Sequence, residues 1–121
     1  MANFNQVLKA STTETTTGNT EAVPGMAGII GALFIVNVSA HSGTSTPTLK
    51  LEVQVQDPAT GTWVNYAAIA DITSNGTTTS IIYPNASGAI AQALPAAYRI
   101  AWTFTGTTPS FTFTIGACYL S

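Results

Sequence analysis

The sequence predicts an all-β fold: an antiparallel β-sandwich, Ig-like or jelly-roll-like, with an extended N-terminal arm. Three observations predict it. Threonine occurs 21 times in 121 residues, and this β-branched residue loses rotamer freedom in a helix but packs well on a pleated sheet. Charged residues make up only 7% of the chain, against about 25% in an average domain. Apolar and hydroxyl side chains alternate over several segments, which is the two-residue period of a strand with one buried face.

The elements follow in chain order. Residues 1–22 form an arm, and residues 23–121 the sandwich domain. Within the arm, Phe4, Val7 and Leu8 precede a run of Ser, Thr, Gly and Asn, too polar to anchor a core and too β-branched for a stable helix. An extended arm or an edge strand fits that composition. The apolar stretch 23–38 is broken by Pro24, Gly25, Gly28 and Gly31 and falls short of the roughly 20 residues that span a bilayer. It reads as the approach to a buried strand over 29–40, with Phe34, Val36 and Val38 on one face. A turn is expected over 41–47. Leu49, Leu51, Val53 and Val55 then alternate with Lys50, Glu52, Gln54 and Gln56, the clearest strand signal in the chain.

Asp57-Pro58-Ala59-Thr60-Gly61 has the chemistry of a turn, since Pro fixes φ and Gly admits positive φ. A strand over 62–69 follows, then a hairpin turn at Ser74-Asn75-Gly76 and a strand over 77–83. Residues 86–97 read as a loop with at most a short strand. Tyr98, Ile100, Trp102 and Phe104 share one face of the next strand; after a Gly-Thr-Thr-Pro turn, Phe111, Phe113, Ile115, Ala117 and Tyr119 share one face of the last. That aromatic surface needs a second sheet or another chain to cover it. Strand, Gly-Thr…Pro turn and strand occur twice, at 34–53 and 98–115. Two facing copies of one hairpin would build a sandwich.

Composition also limits function. Three basic and five acidic residues give a net charge of −2. Lys9, Lys50 and Arg99 are too scattered to grip a phosphate backbone or an anionic membrane. The start of the chain lacks the basic and apolar regions of a signal peptide. Cys118 is the sole cysteine, cannot form an internal disulfide, and reads as a small buried hydrophobe in a protein made in a reducing cytoplasm. His41, the one histidine, lies in a predicted turn with no carboxylate beside it. Only an assembly in space, with Asp71 for example, would give it a triad role. Glu14, Glu21, Glu52, Asp57 and Asp71 are dispersed. No catalytic residues, cofactor or metal site are expected. Trp63 and Tyr66, near the 57–61 turn, are candidates for an interface anchor or a sugar-stacking platform, with core packing as the competing role.

One stretch runs Gly43-Thr44-Ser45-Thr46-Pro47-Thr48-Leu49-Lys50-Leu51-Glu52-Val53-Gln54-Val55-Gln56-Asp57, then Gly61-Thr62-Trp63. Later come Tyr98-Arg99-Ile100-Ala101-Trp102-Thr103-Phe104 and Gly106-Thr107-Thr108-Pro109-Ser110-Phe111-Thr112-Phe113. This order resembles the head decoration, or cement, proteins of tailed bacteriophages, small β-sandwich virion proteins, over residues 34–120. The resemblance implies a structural protein on the capsid exterior, made in the host cytoplasm, that binds the major capsid protein and braces the shell. It implies a homo-oligomer, with a trimer preferred, and no nucleic-acid or membrane partner. Phe4, Val7 and Leu8 would be apolar anchors on the capsid or a sister subunit. A receptor- or carbohydrate-binding fibre module is the alternative, or a neck or tail component.

Overall fold

A computed structural model describes residues 5–24, 28–84, 90–95 and 97–121. Its elements are β1 (Asn5–Glu14), β2 (Gly18–Asn19), β3 (Gly31–Gln56), β4 (Trp63–Ile72), β5 (Gly76–Ile82) and β6 (Tyr98–Leu120). No described residue is helical. Two strands dominate: β3 has 26 residues and β6 has 23. They pair antiparallel almost end to end, from Gly31 opposite Leu120 to Val55 opposite Tyr98.

This long ribbon is folded in half. Phe34 and Tyr98 lie near opposite ends of its pairing register, yet their rings meet edge to face at 5.9 Å. Trp102 meets Phe113 in the same way at 5.5 Å. Such contacts require the two halves of the ribbon to face each other, giving the two layers of a β-sandwich. The first layer holds β1, the later half of β6, the earlier half of β3, and β5. The second holds β2, the earlier half of β6, the later half of β3, and β4. Strands that pass from one layer to the other at an irregular bend are a known way of turning a sheet corner.

The corner corrects the expected turns at 41–47 and 106–110. Neither reverses the chain, so neither makes a hairpin; each bends a strand that then continues. The reason is local. Gly43 (φ 130°) and Gly106 (φ 96°) take backbone conformations that suit glycine, and each sits where a side chain would crowd the backbone facing it. A Cβ at Gly43 would lie 3.1 Å from the Thr107 carbonyl oxygen, and one at Gly106 would lie 2.9 Å from that of Thr44. Thr46 (φ 54°) and Thr108 (φ 46°), each preceding a proline, hold left-handed conformations that are costly for β-branched residues. The repeat in the sequence is therefore real in space, but its two copies pair with each other instead of each closing on itself. Ser74–Gly76 is likewise no hairpin turn: β4 and β5 both pair with β3, on opposite sides of the corner.

Residues 5–23 supply an edge strand to each layer. β1 runs along the later half of β6, and β2 and Val23 run along its earlier half. Three ties hold these strands. Lys9, pointing inward and 8% exposed, donates to the Phe113 carbonyl at 2.9 Å and the Thr12 hydroxyl at 2.8 Å. Its ammonium lies 4.0 Å from the centre of the Phe113 ring. Tyr98 and Tyr119 join hydroxyl to hydroxyl at 2.6 Å, and Tyr119 donates to Gln6 at 2.7 Å. Ile100 donates its N–H to the Thr20 hydroxyl at 3.0 Å.

The core is the alternation read in the sequence. Phe34, Val36, Val38, Leu49, Leu51, Val53, Tyr98, Ile100, Trp102, Phe111, Phe113, Ile115, Ala117 and Tyr119 are buried between the layers. Full burial of each large side chain contributes roughly 1.5–3 kcal/mol. The aromatic surface of β6 is thus covered by the chain's own second layer. In the predicted loop over 86–97, Ile90 makes a single parallel bridge to Ile82, and residues 85–89 and 96 lie outside the described set.

Candidate interaction surface

Because inner and outer side chains alternate, the register that builds the core also assembles two outer faces, and they differ. On the first layer, cross-strand pairing aligns Asn5, Cys118, Leu33 and Ile81 in one row. Val7, Gly116, Ile35 and Thr79 form the next, and Thr114, Asn37 and Thr77 a third. No charged residue stands in these rows. Val7 is 74% exposed and Ile81 39% exposed, while Leu33, Ile35, Gly116 and Cys118 are half-buried. The result is an uncharged, partly apolar surface on the paired sheet.

The second layer's outer face carries Lys50, Glu52, Gln54 and Gln56 of β3 beside Arg99, Ala101 and Thr103 of β6 and Asn65 and Asp71 of β4. These groups bond to one another. Lys50 meets Asp71 at 3.4 Å. Gln54 donates to Asn65 at 2.9 Å and accepts from Arg99 Nε at 2.8 Å. Arg99 lies 4.5 Å over the Trp63 ring. Lys50, Asp71, Gln54, Asn65 and Arg99 thus each have a partner on this face.

The residues singled out in the sequence do not converge. Phe4 lies outside the described residues. Val7 stands on the uncharged face. Leu8, one residue on, is the extra residue of a β-bulge and packs against the core. Trp63 stacks with Arg99 on the polar face. Tyr66 is also a bulge residue; it packs against the core and donates its hydroxyl to the Ala93 carbonyl at 2.6 Å. Trp63 and Tyr66 therefore build no shared stacking platform. Cys118 is half-buried on an outer face, not in the core, because its neighbours Ala117 and Tyr119 take the inward positions.

The polar candidates have structural partners. The His41 Nδ1 lies 2.6 Å from Asn75 Oδ1, and its ring stacks on Phe111 at 5.5 Å, so it pins the β4–β5 bend to the corner. Asp71 is engaged by Lys50 instead. Asp57 accepts from the Ala59 N–H and the Thr60 hydroxyl at 2.9 and 2.8 Å; these bonds hold its carboxyl below the usual carboxylate range. Among the described residues, no three His, Cys, Asp or Glu side chains gather into a metal-binding group.

Leu33, Ile35, Ile81, Gly116 and Cys118 are the surface residues that the strand pattern left unmarked. A signal for them exists. The stretch from Leu33 to Val36 is apolar at both parities, and so is Ile81-Ile82. A strand apolar on both faces needs a cover on both. No protein-family model matches the chain, and no curated protein or solved structure matches it.

Proposed function

We propose that this protein is a structural virion component, a head decoration module that lies on the capsid exterior and stabilises the shell by broad contact. One observation carries the reading: the outer face of the first layer is uncharged and partly apolar, and rests on a sheet folded onto its own core. Exposed apolar residues grouped on one face mark an interaction surface. A face without ions can meet a partner without desolvating charge, whereas a buried unpaired ion costs several kcal/mol. Modest contacts of this kind hold firmly when a partner presents them many times over.

The arm has a changed part in this reading. It is bound within its own sheet, so its contribution to a partner is Val7, displayed beside Gly116 and Ile35. Deleting residues 1–22 would strip a whole edge strand and test folding instead of binding. The informative experiment is co-sedimentation of the full chain with empty capsid shells. The native chain pellets with shells in a saturable ratio set by shell symmetry, and Val7→Asp with Ile35→Asp abolishes pelleting while the far-ultraviolet circular dichroism is retained. Equal pelleting by the native and doubly substituted chains would overturn the proposal, as would no pelleting at all.

A further inference from the structure

Among the described residues the folded sheet has four edge segments, and three of them are defended against pairing. β1 carries two register breaks and turns the charged Lys9 inward. β4 carries two more, with Tyr66 and Ile69 as the extra residues, and the charged Asp71. β2 is two residues long. Bulges, inward charges and shortness are the usual protections of an exposed edge. β5 has none of them. Its seven residues, Gly-Thr-Thr-Thr-Ser-Ile-Ile, pair with β3 without a break, and hold no charge and no proline.

The open groups of this edge can be identified. Ile81 accepts through its carbonyl from the Ile90 N–H at 2.8 Å, and Tyr83 donates its N–H to the Ile90 carbonyl at 3.1 Å. The backbone groups of residues 81 and 83 therefore point away from β3. Backbone direction alternates along a strand, so Thr77 and Thr79 also point outward, while Gly76, Thr78 and Ser80 bond to β3. Among the described residues, none bonds to the outward N–H and C=O groups of Thr77 and Thr79. Ile90 occupies the edge beyond them. The open stretch is thus symmetric about Thr78.

We infer that β5 pairs antiparallel with β5 of a second copy of this chain, across a two-fold axis at Thr78. Thr77 then lies opposite Thr79 of the second copy and Thr79 opposite its Thr77. Each is a hydrogen-bonded pair, so four backbone hydrogen bonds form. A strand without charge meets itself without repulsion. Cross-strand threonine pairs are favourable, and the molecule already uses one on this same face, between Thr13 and Thr112 at 2.7 Å. The Ile90 contact blocks a register slid toward Ile82. A two-fold contact of this kind closes as a dimer, and it would join the uncharged outer faces of two first layers into one wider sheet. The inference stands apart from the capsid reading, since it concerns only copies of this chain.

Sedimentation velocity on the full chain over a range of concentrations tests it. The expected species is a dimer of the 12.5 kDa chain. Thr79→Pro removes an outward N–H, leaves the bonds to β3 in place, and raises the dissociation constant at least about tenfold, the equivalent of about 1.4 kcal/mol. A second arm does not depend on that variant folding. In a Cys118→Ser background, Thr78→Cys places two thiols in a directly opposed, non-hydrogen-bonded pair, where mild oxidation links them. Ser80→Cys, displaced from the axis, does not cross-link. A native chain that stays monomeric without a Thr78→Cys cross-link overturns the inference, and so does a dimer that Thr79→Pro leaves intact.

Discussion

The two outer faces of this sandwich are built from the same two long strands, yet they have opposite chemistry. On the second layer, Lys50, Glu52, Arg99 and Asp71 stand among amides; Lys50 pairs with Asp71, and Arg99 bonds to Gln54, which bonds in turn to Asn65. On the first, the equivalent positions are Leu33, Ile35, Asn37, Thr114, Gly116 and Cys118, with Val7 and Ile81 exposed at either side. Both layers serve the core equally, so stability does not require the difference. On the proposed reading its consequence lies outside the molecule: the polar groups of one face bond among themselves and to water, and the other face is the one a partner covers.

The largest expected effect comes from moving a charge between the faces. Ile35→Asp places a carboxylate in the middle of the uncharged surface. It weakens association with empty shells about 100-fold or more, since an unpaired ion buried at an interface costs 2–5 kcal/mol or more. Gln54→Asp makes a comparable change on the polar face beside Arg99, and shifts binding less than about threefold. A binding titration of both variants checks the contrast, and equal losses would dissolve the distinction between the faces.

Lys9 is the one described cation that lies between the faces. Lys9→Ala leaves the Phe113 carbonyl without its side-chain donor and lowers stability by about 1–3 kcal/mol, measured by urea denaturation. The same ties give a pH signature. Burial pushes the Lys9 pKa down, so between its lowered value and 10.5 the unfolded chain binds more protons and stability rises with pH through that window. Burial pushes the Tyr98 and Tyr119 hydroxyls up, with the opposite sign. Above pH 10 the unfolded chain releases phenol protons that the folded chain keeps, and stability falls by up to about 1.4 kcal/mol per pH unit for each tyrosine. Urea midpoints from pH 8 to 11.5 should rise and then drop. Lys9→Met should remove the rise, and Tyr98→Phe should make the drop shallower.

How much of this was legible in the sequence depends on the range of the interaction. The strands, their inward faces and the aromatic core follow from period-two alternation, which is local. The corner was not legible, because Gly43-Thr44-Ser45-Thr46-Pro47 has the composition of a reversing turn. Whether a chain reverses or only bends there depends on Thr107 and Pro109, which pack against it from more than 60 positions away. The same blindness hid the edge strand: nothing within residues 5–14 announces that Lys9 will be received by the carbonyl of Phe113. The outer face was legible in part. Val7 was marked as an apolar anchor, but Leu8 was marked with it, and adjacent residues of a strand point to opposite faces, so only Val7 reaches the outer one.

The smallest expected effect is the most direct check on the statement that the polar face serves itself. Lys50 and Asp71 are cross-strand partners on β3 and β4, 3.4 Å apart, with side chains 41% and 64% exposed. At that exposure water screens the pair, and holding two side chains in one geometry costs entropy, so it contributes at most about 0.2–1 kcal/mol. Lys50→Ala should lower the urea midpoint only slightly, and 0.5 M salt should shrink that difference further because the attraction is screened at such ionic strength. Binding to shells should be unchanged. A loss of shell binding in Lys50→Ala would place the contact surface on the charged layer, and the uncharged face would then need another occupant.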